Sequence, residues 1–257
     1  MKNLPAISLI LLVIGCGTKP KIEMIGSYQM TKQVLNDGTK DSAIDRKQLK
    51  IYTDQYMMYA SPNVNDSFAN FGIGKYKVED GKVYEYRFYT AAEGERMDTF
   101  VLNIEKTYNG YKQVIENIPI DGKNYKLTEE YESVGTEQKS PLDGAWKQVR
   151  NIYLTAKGDS SVNNNPLEYK TFQSGYFIWA ITVTDSTNKK TSVFGYGPFD
   201  MMGETKIRES VANSTFVTGV VGKKYEVDIL FNGNDSYKQT ITFANGDKST
   251  EVYQRQK

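Results

Sequence analysis

The chain repeats itself, and this internal repeat constrains the fold more than any other feature. Six short stretches occur twice in the same order, and the offset between the copies changes by only a few residues. The matched pairs are residues 24–34 with 142–152, 49–60 with 169–180, 71–76 with 194–199, 110–114 with 236–240, 121–122 with 245–246 and 129–131 with 251–253. Self-similarity that keeps its order predicts a tandem duplication of one structural unit.

Within each copy the local pattern is that of strands joined by tight turns. Val227, Ile229 and Phe231 alternate with other residues, which is the period of a strand with one face inside. Asn-Gly and Asp-Gly pairs recur between such runs and favour type I′ hairpins. We expect seven or eight strands per copy and no long helix. The predicted fold class is all-β, with two tandem up-and-down antiparallel barrels, because closure removes exposed sheet edges.

Domain boundaries follow from the repeat and from composition. Residues 1–15 are interpreted as a lipoprotein signal peptide, and 16–23 as a lipidated cysteine with a short tether. The first barrel is expected over 24–133 and the second over 142–257. Between them, residues 134–141 are polar with Gly and Pro, and this composition predicts a linker.

The N-terminal segment carries a signal for export. A basic start at Lys2 is followed by an apolar stretch over 4–14 that is too short to span a bilayer. The ending Val-Ile-Gly-Cys16 resembles the lipobox of bacterial lipoproteins. The resemblance implies cleavage before Cys16 and acylation there, and Gly17 in place of Asp favours the outer membrane. No acidic run follows Cys16, which favours barrels that face the periplasm, with exposure at the cell surface as the alternative. The alternative is an ordinary secretory signal with an incidental Cys.

A second resemblance lies at the head of each copy. Gly144-Ala-Trp146 before an antiparallel meander resembles the Gly-x-Trp start of lipocalins and of the wider calycin group, and is similar to the lipocalin-like domains of uncharacterised bacterial lipoproteins. The resemblance implies that an Arg near the last strand packs over the Trp, a role that falls to Arg255. The first copy keeps the glycine as Gly26 but has Tyr28 in place of Trp and lacks the Arg.

Two strand-like runs are apolar without alternation, namely residues 56–60 and 176–181. Only one face of a barrel strand meets the interior, so the other face of such a run needs a cover. We predict that these two strands pack against each other between the domains or under a lid segment. The alternative is that exposed Tyr and Met side chains are simply tolerated there.

Composition narrows the chemistry. The chain has no His, its one Cys is Cys16, and its net charge is +1. Ser-His-Asp catalysis, His-ligated zinc and haem held by a proximal His are therefore excluded, and nothing favours nucleic acid as a partner. We expect no enzyme activity, no cofactor and no metal. A carboxylate-dependent hydrolase, using the acidic loop at Glu93, Glu95 and Asp98, is kept as the third hypothesis.

The leading functional hypothesis is a membrane-anchored binding protein. An eight-stranded barrel of about this size either fills itself with side chains or holds one small ligand, and a Tyr-rich lining suits a small apolar or amphipathic molecule. The candidate lining residues, chosen by their positions on the matched strands, are Tyr28, Tyr76, Tyr86, Trp146, Tyr176 and Phe199. The alternative is a pair of filled barrels that serves as a structural or interaction lipoprotein with a protein partner in an envelope complex.

Overall fold

The structure is a computed structural model that describes residues 22–62, 69–91, 94–120, 122–216 and 218–257. It is all-β and consists of two closed eight-stranded antiparallel barrels, which confirms the predicted tandem lipocalin-like fold. The signal peptide and Cys16 lie outside the described residues. Among the residues described, no helix has the length and apolar character needed to cross a membrane.

Strands β1–β9 build the first barrel, and all except the short β2 take part in the closed wall. Their bounds are β1 (Gly26–Asn36), β2 (Asp41–Ala43), β3 (Leu49–Tyr52), β4 (Tyr56–Pro62), β5 (Ala69–Glu79), β6 (Lys82–Thr90), β7 (Gly94–Thr107), β8 (Gly110–Ile120) and β9 (Lys123–Val134). Each strand pairs with the next around the wall, and β1 closes it by pairing with β9.

Strands β10–β19 build the second barrel in the same order, with the short β11 and β16 outside the closed wall. Their bounds are β10 (Gly144–Leu154), β11 (Ser160–Asn164), β12 (Leu167–Gln173), β13 (Tyr176–Thr184), β14 (Lys190–Met201), β15 (Lys206–Ser210), β16 (Asn213–Ser214), β17 (Lys224–Asn232), β18 (Ser236–Thr242) and β19 (Lys248–Arg255). A 3-10 turn at Thr218–Val220 precedes β17. The pairing of β10 with β19 closes the barrel.

The two barrels share a buried interface. The outer faces of β3–β5 and β12–β14 meet, so that each strand contacts its own counterpart, as in an isologous dimer. Met58, Ala60, Ile178 and Ala180 are all fully buried in the cluster between the barrels. A hydrogen bond of 3.3 Å from Thr171 Oγ1 to Met58 Sδ crosses the same interface.

This interface explains the two continuous apolar runs. Along β4 and β13, alternate residues face the other barrel, and the residues between them face their own lumen. Met57 belongs to the core of the first barrel and Phe177 to that of the second, although their neighbours Met58 and Ile178 lie between the barrels. The prediction that these strands pack against each other is confirmed, and both faces of each are buried.

One end of the second barrel is closed by Trp146 and Arg255. The guanidinium of Arg255 lies 4.0 Å from the centre of the indole ring. It also donates to the backbone carbonyls of Asp143 at 2.6 Å and Pro141 at 2.9 Å. Gly144 has a φ of +133°, and a Cβ there would collide with Arg255. The chain entering β10 therefore needs glycine at this point.

Candidate functional site

Aromatic rings fill the same half of both lumens, which we call the closed half. In the first barrel the ring of Tyr28 lies edge-on to Tyr111 at 4.9 Å, and Tyr111 stacks on Tyr131 at 4.8 Å. In the second barrel Trp146 lies edge-on to Tyr237 at 4.7 Å, and Tyr237 stacks on Tyr253 at 4.9 Å. The counterparts of one copy thus repeat the packing of the other, and both closed halves are solid.

Beyond the rings lies a buried polar network, which we call the lumen network. In the first barrel the ammonium of Lys50 is 2.7 Å from Glu85 and donates to Gln113 at 3.2 Å. Gln113 in turn donates to Glu129 at 2.5 Å, and the hydroxyl of Tyr131 donates to the same carboxylate at 2.9 Å. All of these side chains are more than nine-tenths buried. The charges are compatible with burial because each has partners.

The second barrel contains the same network. Lys170 lies 2.5 Å from Glu209 and donates to Gln239 at 3.2 Å. Gln239 donates to Glu251 at 2.5 Å, and the hydroxyl of Tyr253 lies 2.9 Å from that carboxyl group. These five residues correspond one to one with those of the first barrel. The lumen network is therefore a feature of the duplicated unit.

Except for Glu85 and Glu209, the network occupies positions that lie in the matched stretches of the repeat and to which the sequence assigned no role. Lys50, Gln113 and Glu129 are identical between the copies, with Lys170, Gln239 and Glu251 as their counterparts. The sequence signal for this network is that charged and amide residues occur at the same strand positions in both copies. The sequence alone does not predict that these side chains meet in one lumen, because that depends on which side of each strand turns inward.

The first barrel keeps a cavity of about 170 Å³ beside its network. Its polar wall includes Lys50, Glu85 and Glu129, and its apolar wall is formed by Tyr59, Phe100, Ile115, Ile118 and Leu127. Leu127 pairs with Leu35 near the end of β1 that is far from Tyr28. Because Leu127 and Ile118 are also partly exposed, the cavity opens at the end opposite the closed half, which we call the mouth.

The second lumen differs at the positions that form this cavity. Trp179 replaces Tyr59. The ring of each lies over the equivalent glycine, Gly195 or Gly72, and in the second barrel Phe216 packs edge-on against Trp179 at 6.0 Å. Val211 stands two residues after Glu209, where the first barrel has Arg87 two residues after Glu85. A separate apolar groove of about 540 Å³ lies on this barrel, between Pro141, Met201 and Phe231.

Burial shifts the acid-base behaviour of both lumens. It raises the pKa of Tyr52, Tyr111, Tyr131, Tyr237 and Tyr253 well above 10, so these phenols stay neutral. In the second barrel, burial and then the charge of Glu251 raise the pKa of Glu168 to about 8. A pKa of about 8 favours the protonated form of Glu168 at neutral pH, with the hydroxyl of Tyr253 2.6 Å away.

The six aromatic residues proposed as ligand lining are distributed over four places: the two barrel cores, the interface between the barrels and, for Tyr86, the outside of the first barrel. Tyr28 and Tyr76 belong to the core of the first barrel, and Trp146 and Phe199 to that of the second. Tyr176 packs in the interface between the barrels, because it shares the outward face of β13 with Ile178. None of the six is among the residues that line the cavity of about 170 Å³.

Tyr86 corrects the expected facing of β6. Glu85 and Arg87 line the cavity, so Tyr86 between them points to the outside of the barrel. This strand reverses the usual polarity, with charged residues inside and tyrosines outside. The acidic loop held as a possible hydrolase site is only partly described, since Glu93 lies outside the described residues, and Asp98 lies 3.7 Å from Arg87.

Comparison with solved structures finds three chains of interest. A lipocalin-like protein from Bacteroides uniformis is 19% identical over 46% of this chain and 100% of its own, with a TM-score of 0.31. A redesigned β-barrel is 17% identical over 46% of this chain and 93% of its own, with a TM-score of 0.30. A protein of unknown function from the DUF3598 family of Nostoc punctiforme is 8% identical over 90% of this chain and 96% of its own, with a TM-score of 0.27.

Neither the family models nor the curated proteins contain a match to this chain.

Proposed function

We propose that this chain is a membrane-anchored, non-enzymatic protein whose first barrel binds a small amphipathic molecule at its mouth. The observation that carries the proposal is the cavity of about 170 Å³, which has charged and amide groups on one side and aliphatic and aromatic groups on the other. Ligand sites in proteins combine an apolar wall with a few placed polar groups in this way.

The wall suits recognition better than catalysis. Glu85 and Glu129 already accept short hydrogen bonds from Tyr52 and Gln113, at 2.5 Å in each case. A general acid or base needs a proton that it can exchange with the substrate. Carboxylates that are held by fixed wall donors serve instead to keep the side chains of the cavity in one arrangement.

The anchor is the part of the proposal that depends on the sequence alone. A lipid on Cys16 would anchor the barrels at the outer membrane, facing the periplasm, and would keep the first barrel close to the bilayer because only a short tether separates Cys16 from β1. The Cys16→Ser variant tests this: we expect it to leave the membrane fraction and to lose incorporation of labelled palmitate. A variant that stays in the membrane fraction would contradict the lipid anchor but would not bear on the proposed binding in the cavity.

A second candidate function is supported by the second barrel. Its closed half is solid, and Trp179 with Phe216 occupies the region that corresponds to the cavity. Phe216 is 61% exposed, so an aromatic surface is available at this end. A filled barrel with an exposed aromatic group fits a structural or interaction role with an envelope protein.

Native mass spectrometry of the gently purified protein separates the two candidates. A co-purifying small molecule that is released on denaturation supports the binding function and gives the mass of the ligand. If the protein carries no ligand and also takes up none from an extract of its host membrane, the binding function is wrong and the structural role remains.

A further inference from the structure

We infer that the cavity of the first barrel selects a carboxylate group, with Arg46 and Arg87 as the residues that attract it. This inference rests on the proposed binding function and specifies the chemistry of its ligand. Both arginines line the cavity, and the argument for an anion comes from the partners that each charged group of the wall already has.

Both carboxylates of the wall already have hydrogen-bond or ion-pair partners. Glu85 lies 2.7 Å from the ammonium of Lys50 and accepts a hydrogen bond of 2.5 Å from Tyr52. Glu129 accepts from amide and phenol donors of the lumen network, and Gln33 adds a further bond of 2.6 Å. These carboxylates are thus occupied within the wall and need no cation from a ligand.

The guanidinium of Arg87 is held in place against an aromatic ring but keeps unused hydrogen-bond donors. Its guanidinium stacks on the ring of Phe100 at 3.7 Å, and Nη1 donates to the hydroxyl of Tyr59 at 2.8 Å. Asp98 forms an ion pair with Nη2 at 3.7 Å, which is too long for a hydrogen bond, and Nε is buried without a hydrogen-bond partner among the described residues. A planar guanidinium with unused donors fits the planar geometry of a carboxylate.

Arg46 supplies a second positive charge at the mouth. It is partly exposed, and within the described part of the chain it has neither a hydrogen bond nor an ion pair. An arginine that is half-buried in a cavity wall without a partner leaves its charge directed at whatever enters the cavity. The two arginines together therefore give the mouth an excess of positive charge.

The second barrel shows that this excess is particular to the first. Val211 takes the place of Arg87, and the carboxyl group of Glu168 takes the place of the Gln48 amide. Compared with the second barrel, the first has the additional cation Arg87 and has the amide of Gln48 in place of a carboxyl group. Since the rest of the lumen network is the same in both barrels, these two differences in charge lie in the wall of the cavity.

The size of the cavity limits the rest of the ligand. A water molecule takes up about 30 Å³ in the liquid, so a cavity of about 170 Å³ admits only a small organic acid. The apolar side of the mouth, with Ile115, Ile118 and Leu127, suits a short aliphatic chain. The ligand class is therefore a short aliphatic carboxylate, or the acid end of a longer one.

Three probes of matched length test this inference: hexanoate, 1-hexanol and hexylammonium, each titrated calorimetrically into the purified protein. We expect hexanoate to bind at least about tenfold more tightly than either of the others. Arg46→Gln and Arg87→Val should each weaken hexanoate by about tenfold and leave 1-hexanol unchanged. Arg208→Gln is the matched control, because Arg208 pairs with Asp200 at 3.0 Å on the outer face of the second barrel.

The outcomes distinguish this inference from the function on which it rests. If 1-hexanol or hexylammonium binds as tightly as hexanoate, the carboxylate inference is overturned while the binding function stands. If none of the three binds at millimolar concentration, both are overturned. Should Arg87→Val fail to fold, Arg46→Gln still decides the matter, since Arg46 makes no hydrogen bond or ion pair with the described residues and lies partly exposed.

Discussion

Gln48 and Glu168 hold equivalent positions in the two barrels and contact equivalent tyrosines. Gln48 donates to the hydroxyl of Tyr131 at 2.5 Å, and Glu168 lies 2.6 Å from the hydroxyl of Tyr253. That hydroxyl also lies 2.9 Å from Glu251. A phenol has one proton to donate, so one of these two carboxyl groups must carry a proton for both contacts to be hydrogen bonds, and the raised pKa of Glu168 assigns the proton to Glu168. Protonated Glu168 therefore does what the Gln48 amide does.

This relationship predicts a pH dependence of stability. The pKa of Glu168 is raised from 4.5 to about 8 in the folded state. Between these values the folded protein binds one more proton than the unfolded chain, so its free energy of unfolding falls as pH rises, by roughly 1 kcal/mol per pH unit. Glu168→Gln should remove the slope between pH 6 and pH 8 and stabilise the protein at pH 7, as measured by urea unfolding. Below pH 6 a slope remains, because burial raises the pKa of Asp143 to about 6. The chain has no His to titrate in the same window.

The reverse exchange is the control for that experiment. Gln48→Glu places a second carboxyl group in the equivalent site beside Tyr131, so it should make the slope of the wild-type protein steeper. An unchanged slope in Glu168→Gln would show that Glu168 is ionised in the folded protein and that the proton resides elsewhere.

The interface between the barrels predicts that they unfold together. Ala180 is fully buried between them, so Ala180→Glu places an unpaired charge where its burial costs several kcal/mol. We expect the barrels to separate while each stays folded, which turns one calorimetric unfolding transition into two. Thr184→Glu, on the exposed end of the same strand, should behave as wild type. A single transition at the wild-type temperature in Ala180→Glu would contradict the shared core.

The duplication and the fold class were predictable from the sequence because they depend on local signals. Turn dipeptides mark the hairpins, and matched stretches such as 49–60 and 169–180 mark the copies. The contact between the barrels was also predictable, since only strands with two covered faces carry continuous apolar runs. These inferences need no knowledge of how the strands are rotated.

The candidate site was less predictable because the closed barrel decides which face of each strand turns inward. Alternation along β6 places Glu85 and Arg87 on one face and Tyr86 on the other, but it does not say which face lies in the lumen. Aromatic residues normally face the core, and here the charged ones do, because Glu85 pairs with Lys50 and Arg87 donates to Tyr59, both of which lie on other strands. Those partners are distant in sequence, so only the folded wall brings them together.

The contacts of Arg255 predict that its loss destabilises the closed end of the second barrel. It stacks on Trp146 and donates to three backbone carbonyls, those of Asp143, Pro141 and Asn234. Arg255→Ala should lower the free energy of unfolding by about 2 kcal/mol or more in urea. Arg255→Lys should restore little, since an ammonium cannot reach carbonyls that a planar fork spans. A loss in Arg255→Ala no larger than that in Arg208→Ala would contradict the stacking role.

The position of Gly195 predicts that this glycine is needed for Trp179 to fill the second lumen. The ring of Trp179 lies directly over it, and a Cβ at Gly195 would lie 2.7 Å from the indole atoms. Gly195→Ala should therefore displace the ring, cost about 1–3 kcal/mol of stability and shift the tryptophan fluorescence, which arises from only 2 Trp residues. Gly219→Ala is the control, because no atom lies within 4 Å of the added methyl. Wild-type emission and stability in Gly195→Ala would mean that Trp179 does not depend on the glycine for its place in the lumen.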